Sequence, residues 1–173
     1  SLFKNSKVIA NIPYQITTPI LEHLIKYKHL FSSITIMIQK EVADRITSPH
    51  NSKIFGLLSL FCNYHFDINK GFNVSRECFS PKPNVDSKVI QLIPKKGILN
   101  KTDEPLFFAM TKSLFWGRRK TILNCLLNAP HIQCNPAIKT IHLPEGSKRA
   151  EQLSLSDHIS LFKTIKNQLQ LPT

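Results

Sequence analysis

The hydrophobic residues of this chain change their period part-way along it, and that change limits the fold more than any single motif. Ser33 to Gln39 reads SITIMIQ, with Ile34, Ile36 and Ile38 in the period of two that a strand presents to a core. Lys7-Val8-Ile9-Ala10 is a short apolar run that suits a buried parallel strand, and Lys88 to Lys95 (KVIQLIPK) suits a last strand. Phe66, Ile68, Phe72 and Val74 recur on one side of another, broken by Gly71. Helical stretches lie between them. One opens at Thr18-Pro19, where Thr18 is a candidate N-cap and Pro19 fits the first helical position; others are Lys40 to Ile46 and Gly56 to Tyr64. Beyond residue 100 only helical spacing is left, clearest over Glu104 to Trp116, Arg119 to Asn128 and Ser156 to Leu169. The expected layout is an α/β segment over residues 1–97 followed by a small all-helical domain over residues 98–173.

Charge narrows the partners. The chain holds 23 Lys+Arg against 11 Asp+Glu, a net charge of +12. Residues 1–95 carry 12 basic and 6 acidic side chains and residues 96–173 carry 11 and 5, so the excess belongs to both parts and not to a tail. A charge of this size over folded sequence favours a polyanion, because neutralising phosphates releases counterions. No basic amphipathic helix stands out, so nucleic acid is favoured over anionic lipid. No apolar run approaches the roughly 18 residues of a membrane helix. Ser1-Leu2-Phe3-Lys4-Asn5 lacks the features of a signal peptide, and a cytoplasmic protein without a membrane partner is expected. Cys62, Cys78, Cys125 and Cys134 form no C-x-x-C pair and read as buried free thiols; the seven histidines show no metal spacing, so no metal site is expected.

The candidate chemistry sits in Asn11-Ile12-Pro13-Tyr14, between the first strand and the first helix, at a strand end where α/β sheets place their sites. An amino group on an aromatic base is a poor nucleophile because its lone pair is delocalised into the ring. To attack an electrophile it must pyramidalise, and two acceptors aimed at its two hydrogens favour that geometry. The side-chain carbonyl of Asn11 can be one. The backbone carbonyl of Ile12 can be the other, since Pro13 biases Ile12 to an extended conformation. Tyr14 offers a flat face on which an extracted base can stack. An incidental strand-to-helix turn is the bland alternative. The five glycines, at 56, 71, 97, 117 and 146, never form a G-x-G, so the loop that cradles a nucleotide-like cofactor is missing from the sequence.

A second segment adds to the first. Phe79-Ser80-Pro81-Lys82-Pro83-Asn84-Val85-Asp86-Ser87 resembles the F-x-P-x-P-x-V-D-S loop of the ribosomal RNA adenine dimethyltransferase family. Gln39-Lys40-Glu41-Val42-Ala43-Asp44-Arg45-Ile46 resembles its Q-K-E-V-A-x-R-I segment. Arg118-Arg119-Lys120-Thr121 with Asn124 and Leu126 resembles its R-R-K-T-x-x-N-x-L helix, and Glu145, Arg149, Glu151 and Leu153 loosely match its closing pattern. The resemblance implies the C-terminal half of a Rossmann-like S-adenosylmethionine methyltransferase sheet, followed by helices that bind rRNA. It implies that Phe79 walls the base pocket opposite Tyr14, and that Asn11 is the one cofactor contact present. It implies transfer of two methyl groups to each of two adjacent adenines near the 3′ end of small-subunit rRNA, with a 30S-type ribosomal precursor as partner. The related 23S rRNA resistance methyltransferases share N-I-P-Y but typically read V-N-S where this chain has Val85-Asp86-Ser87. The alternative from another class is a non-catalytic RNA- or DNA-binding module. Arg118, Arg119, Lys120, Lys148 and Arg149 are the candidate RNA contacts, with Lys139 extending them. Without the cofactor loop the isolated chain is expected to be inert, and its first strand is expected to be an open sheet edge.

Overall fold

The computed structural model describes residues 5–129, 138 and 141–169. Its strands are β1 (Ser6–Asn11), β2 (Phe31–Gln39), β3 (Phe66–Val74) and β4 (Ser87–Pro94). Its helices are α1 (Thr17–Lys26), α2 (Lys40–Ile46), α3 (Leu57–His65), α4 (Asp103–Leu114), α5 (Ile122–Asn128) and α6 (Leu155–Leu169). The chain divides into two compact units. Ser1–Thr47 and Cys62–Lys96 form one, and Ser48–Phe61 and Gly97–Thr173 form the other.

The first unit is built on one sheet of order β1-β2-β4-β3, with β1 parallel to β2 and the other pairs antiparallel. Register sets Ile34 opposite Leu92 and Ile36 opposite Ile90, so the alternating residues of β2 and β4 share a face. That face is the core: Ile34, Ile36, Ile38, Ile90 and Leu92 are essentially inaccessible, with Leu21 of α1 and Ile46 of α2. Among the described residues β1 pairs only with β2, which makes it the expected sheet edge. It is not the buried strand its apolar run suggested. Val8 and Ala10 are half-buried on the core face, while Ile9, on the other, is 84% exposed.

Strand β3 departs from its sequence pattern for a physical reason. Lys70 pairs with Ile90 and Asn73 with Lys88, so β3 carries one extra residue there, a bulge. A Cβ on Gly71 would lie 2.4 Å from the Val89 carbonyl oxygen, so only glycine allows the approach. Past the bulge the alternation is broken, and Phe72 is exposed instead of lining the core with Phe66.

Two helix starts also differ from expectation. Tyr14–Ile16 is a 3₁₀ turn that runs directly into α1, so the chain is helical from Thr17 and Thr18 is not the N-cap. Pro19 is then the third helical residue, where its missing N–H is still one of the unpaired donors of the first turn. The helix expected from Arg119 begins at Ile122, because Thr121 is extended and its hydroxyl accepts from the Asn124 N–H at 3.4 Å. Arg118, Arg119 and Lys120 therefore form a turn ahead of α5.

In the second unit Phe107, Leu114, Ile122, Leu126 and Phe162 are buried together, with Phe107 edge-on to Phe162 at 5.8 Å. Lys166 of α6 pairs with Asp103 of α4 at 2.6 Å. Residues 48–61, which periodicity alone leaves in the α/β segment, join this unit through ring contacts and a backbone hydrogen bond. Phe61 meets Phe108 edge-on at 4.9 Å, Phe55 faces Phe115 at 6.2 Å, and the Asn51 N–H donates to the Glu151 carbonyl at 2.6 Å. Cys62 and Cys125 are buried as expected, but Cys78 is exposed in the short turn before Phe79; Cys134 and Lys139 lie outside the described residues. Among the described residues no helix is long and apolar enough to cross a membrane, and no group of three His, Cys, Asp or Glu could hold a metal ion.

Candidate functional site

The Asn11–Tyr14 turn is fixed from both ends. The Ile12 N–H donates to the Met37 carbonyl at 3.0 Å, carrying the β1–β2 ladder one residue past β1 and burying Ile12. Pro13 is extended (φ −56°, ψ 131°), and the chain then tightens into the 3₁₀ turn. The Thr17 hydroxyl donates back to the Tyr14 carbonyl at 3.2 Å, closing the step into α1. The Tyr14 ring is half-buried, and its hydroxyl lies 2.7 Å from the hydroxyl of Ser87, a fully buried residue at the start of β4. That bond orients the ring from an element far away in sequence.

The facing wall is the loop between β3 and β4. Ser75 accepts from the Glu77 N–H at 3.3 Å, and the Arg76 N–H donates to the Asp86 carboxylate at 3.0 Å. The Arg76 guanidinium donates to the Asn84 carbonyl at 3.3 Å, and Lys82 pairs with Glu77. The loop is also tied to α2, whose Lys40 N–H donates to the Asp86 carbonyl at 2.9 Å. Behind it, Asp44 bridges Lys40 and Lys88, each at 2.7 Å. Its hydrogen bond to Lys40, then that to Lys88, holds the Asp44 carboxyl below its usual range.

These two walls bring the residues singled out by sequence into one place. Asn11, Ile12, Pro13, Tyr14 and Phe79 line a cleft of about 230 Å³ together with Pro81 and Pro83. The lining holds no carboxylate, amine, imidazole or thiol side chain, so the cleft offers no general base, no nucleophile and no charge. It offers an exposed side-chain amide at Asn11, backbone carbonyls and aromatic rings. That set suits a flat, neutral group with a polar edge. Sequence reasoning did not single out Ser87 as the residue that holds Tyr14, although it was in plain view at the end of the Phe79–Ser87 motif.

The basic candidates meet in the second unit. The Ile122 N–H donates to the Lys148 carbonyl at 2.8 Å and the Leu123 N–H to the Gly146 carbonyl at 3.0 Å, which draws Lys148 and Arg149 to the start of α5 beside Arg118–Lys120. All five side chains are exposed. They are not equivalent. The Arg118 guanidinium donates to the Lys53 carbonyl, and the Lys120 ammonium sits 4.0 Å from the centre of the Trp116 ring.

The family model described as ribosomal RNA adenine dimethylase matches residues 3–167, nearly the whole chain. The chain belongs to that family. Curated relatives include the ribosomal RNA small subunit methyltransferase A of Streptococcus thermophilus, 40% identical over 169 residues that cover 92% of this chain and 57% of the relative. That of Lactococcus lactis is 41% identical over 167 residues, again 92% and 57%. The chain thus spans about three-fifths of the length of such relatives. Among solved structures, a dimethyladenosine transferase from Plasmodium falciparum superposes with a TM-score of 0.81 at 26% identity, covering 94% of this chain and 67% of that one. The 23S rRNA methyltransferase ErmE superposes at 0.66 with 20% identity, a likeness of fold. The sheet and the helices after it are those of the C-terminal half of this methyltransferase fold, as the dimethyltransferase resemblance implied.

Proposed function

We propose that this chain is the target-base and RNA-binding part of an S-adenosylmethionine-dependent small-subunit rRNA adenine dimethyltransferase. The observation that carries the reading is the convergence of Asn11–Tyr14 and Phe79 on one uncharged cleft. The target adenine stacks between Tyr14 and Phe79, and its amino group lies against the Asn11 amide carbonyl and the Ile12 backbone carbonyl. Those two acceptors draw the amine hydrogens out of the ring plane and free the nitrogen lone pair. When bound, S-adenosylmethionine supplies the electrophilic methyl group. Asn11, exposed at the carboxyl end of β1, carries a side-chain amide that would hold it by hydrogen bonding. The amine proton becomes acidic once the nitrogen is methylated and leaves to water, so no general base is needed. Catalysis is positioning and hydrogen bonding to developing charge.

The substrate follows from the relatives, whose names specify the small ribosomal subunit, and the partner is then a small-subunit precursor met in the cytoplasm. The basic turn before α5, with Lys148 and Arg149, supplies phosphate contacts. A purely binding role would leave Asn11 without purpose, since binding does not need amine acceptors. The test is made on the full-length protein with unmodified small-subunit rRNA and S-adenosylmethionine. Digestion to nucleosides after equal short incubations should yield N6,N6-dimethyladenosine with the wild type and about a hundredth as much or less with Asn11→Ala. Equal yields from the two, or no methylated adenine from either, would reject the reading.

A further inference from the structure

A second cleft, of about 410 Å³, adjoins the first, and Tyr14 and Pro83 line both. The remaining lining residues are Gln15, Gln39, Asn84 and Val85. Nothing in the methyl-transfer reading uses it. Its chemistry is specific: three side-chain amides and no charged group. Phosphate would call for cations, and a metal ion for carboxylates. An apolar ligand would leave the amides unpaired. A nucleobase satisfies both halves of the lining. Its edge carries the donors and acceptors that an Asn or Gln amide pairs with two at a time, and its faces suit Tyr14 and Val85.

Two of the amides, at Gln39 and Asn84, stand on backbone that is held in place. Gln39 closes β2 and stands at the N-cap position of α2, yet its side chain makes no capping hydrogen bond. Asn84 is fixed through its backbone carbonyl by the Arg76 guanidinium, so its side chain is not what anchors the loop. Tyr14, the shared wall, is held by Ser87.

We infer that the second cleft holds the nucleobase next to the target adenine in the same RNA strand, with Gln39 and Asn84 reading its edge. The inference rests on the assignment of the first cleft to the target base, because the shared walls make the second cleft its neighbour along the strand. It assigns these residues a role in choosing which adenines are presented.

The test measures binding, so it does not depend on turnover. Full-length protein is titrated with a short single-stranded RNA carrying the target adenine, and with two copies in which the nucleotide on its 5′ or its 3′ side is abasic. The wild type should bind one of the abasic RNAs about tenfold more weakly than the intact one. The Gln39→Ala/Asn84→Ala double variant should bind the intact RNA about tenfold more weakly and lose that discrimination. Should the double variant fail to fold, Asn84→Ala alone, in an exposed loop, must shrink the abasic penalty. Equal binding of all three RNAs by the wild type, or a full abasic penalty in the variants, would overturn the inference. Asn11→Ala separates it from the target-pocket reading, since that variant should lose methyl transfer and keep the abasic penalty. An Asn11→Ala enzyme that still transfers methyl groups would sink the first cleft while leaving the second measurable.

Discussion

The Asn11–Tyr14 turn and the Arg118–Lys120 turn both lead into a helix, but they are made of opposite materials. The first is uncharged and tied down, by Ile12 to Met37, by Tyr14 to Ser87 and by Thr17 back to Tyr14. The second is cationic and exposed, with Lys120 laid over Trp116 and Arg118 on a backbone carbonyl. A reaction at a neutral amine gains from atoms held in place, whereas attraction to a polyanion needs charge and tolerates loose geometry. On this account one turn sets rate and the other sets affinity.

The sharpest way to break that contrast is at the rigid turn. If Tyr14 stacks the target base as proposed, Tyr14→Ala should lower kcat/KM about 10–100-fold, from roughly 1–3 kcal/mol per stacked base. Tyr14→Phe keeps the ring and loses only the bond to Ser87, so it should stay within roughly tenfold of wild type, a single hydrogen bond being worth about 0.5–1.5 kcal/mol. Steady-state methylation of rRNA compares them. A Phe variant as poor as the Ala variant would mean that orientation by Ser87 matters more than stacking.

At the cationic turn the expected effect is smaller and of another kind. Replacing Arg118, Arg119 and Lys120 together by Gln should weaken binding to every RNA sequence alike. The log–log salt dependence should flatten by roughly one unit for each phosphate no longer neutralised. Filter binding across a salt series measures it, and an unchanged slope would return the turn to an ordinary solvated surface.

Acid should bear on both units through one buried histidine each. Burial, then the nearby Lys28 and Lys95, pushes His65 down to about 3; burial pushes His158 down to about 4. Lys28 donates to His65 Nδ1 at 3.2 Å, and His158 Nε2 donates to the Ala150 carbonyl at 3.0 Å, arrangements that suit neutral rings. Unfolded, each ring titrates near pH 6.5. Between that pH and the folded values the unfolded chain binds more protons, so stability falls as pH falls. The loss is about 1.4 kcal/mol per histidine per pH unit. Urea midpoints measured from pH 7 to pH 5 should decline, and His65→Gln or His158→Gln should each flatten part of the decline. A flat wild-type profile would contradict the burial of both rings.

How far the sequence could be read differed by region for the same reason: local pattern reports local structure. Strand β2 was legible because Ile34, Ile36 and Ile38 all face one core. Strand β1 carries as apolar a run, but its burial depends on what lies beside it, and Ile9 is exposed at the sheet edge. Phe72 fitted the period of β3 until the Gly71 bulge broke it, and a bulge is set by close approach to Val89, not by β3 alone. Residues 48–61 have helical and loop character in sequence, but ring contacts with Phe108 and Phe115 decide which unit they join. The cleft was legible as two motifs, since each wall is a short local turn. The role of Ser87 and the second cleft at Gln39 and Asn84 were not, because they exist only once β2, β4 and the two walls are brought together.

The division of labour between the two turns is tested most directly by measuring turnover and RNA affinity together for Asn11→Ala in the full-length protein. The expected result is a fall in kcat of about 10²–10³, as for removal of one placed hydrogen bond to a reacting group, with the dissociation constant for rRNA within about twofold of wild type. An Asn11→Ala enzyme that keeps more than half of wild-type turnover, or one whose defect lies in RNA affinity, would contradict it.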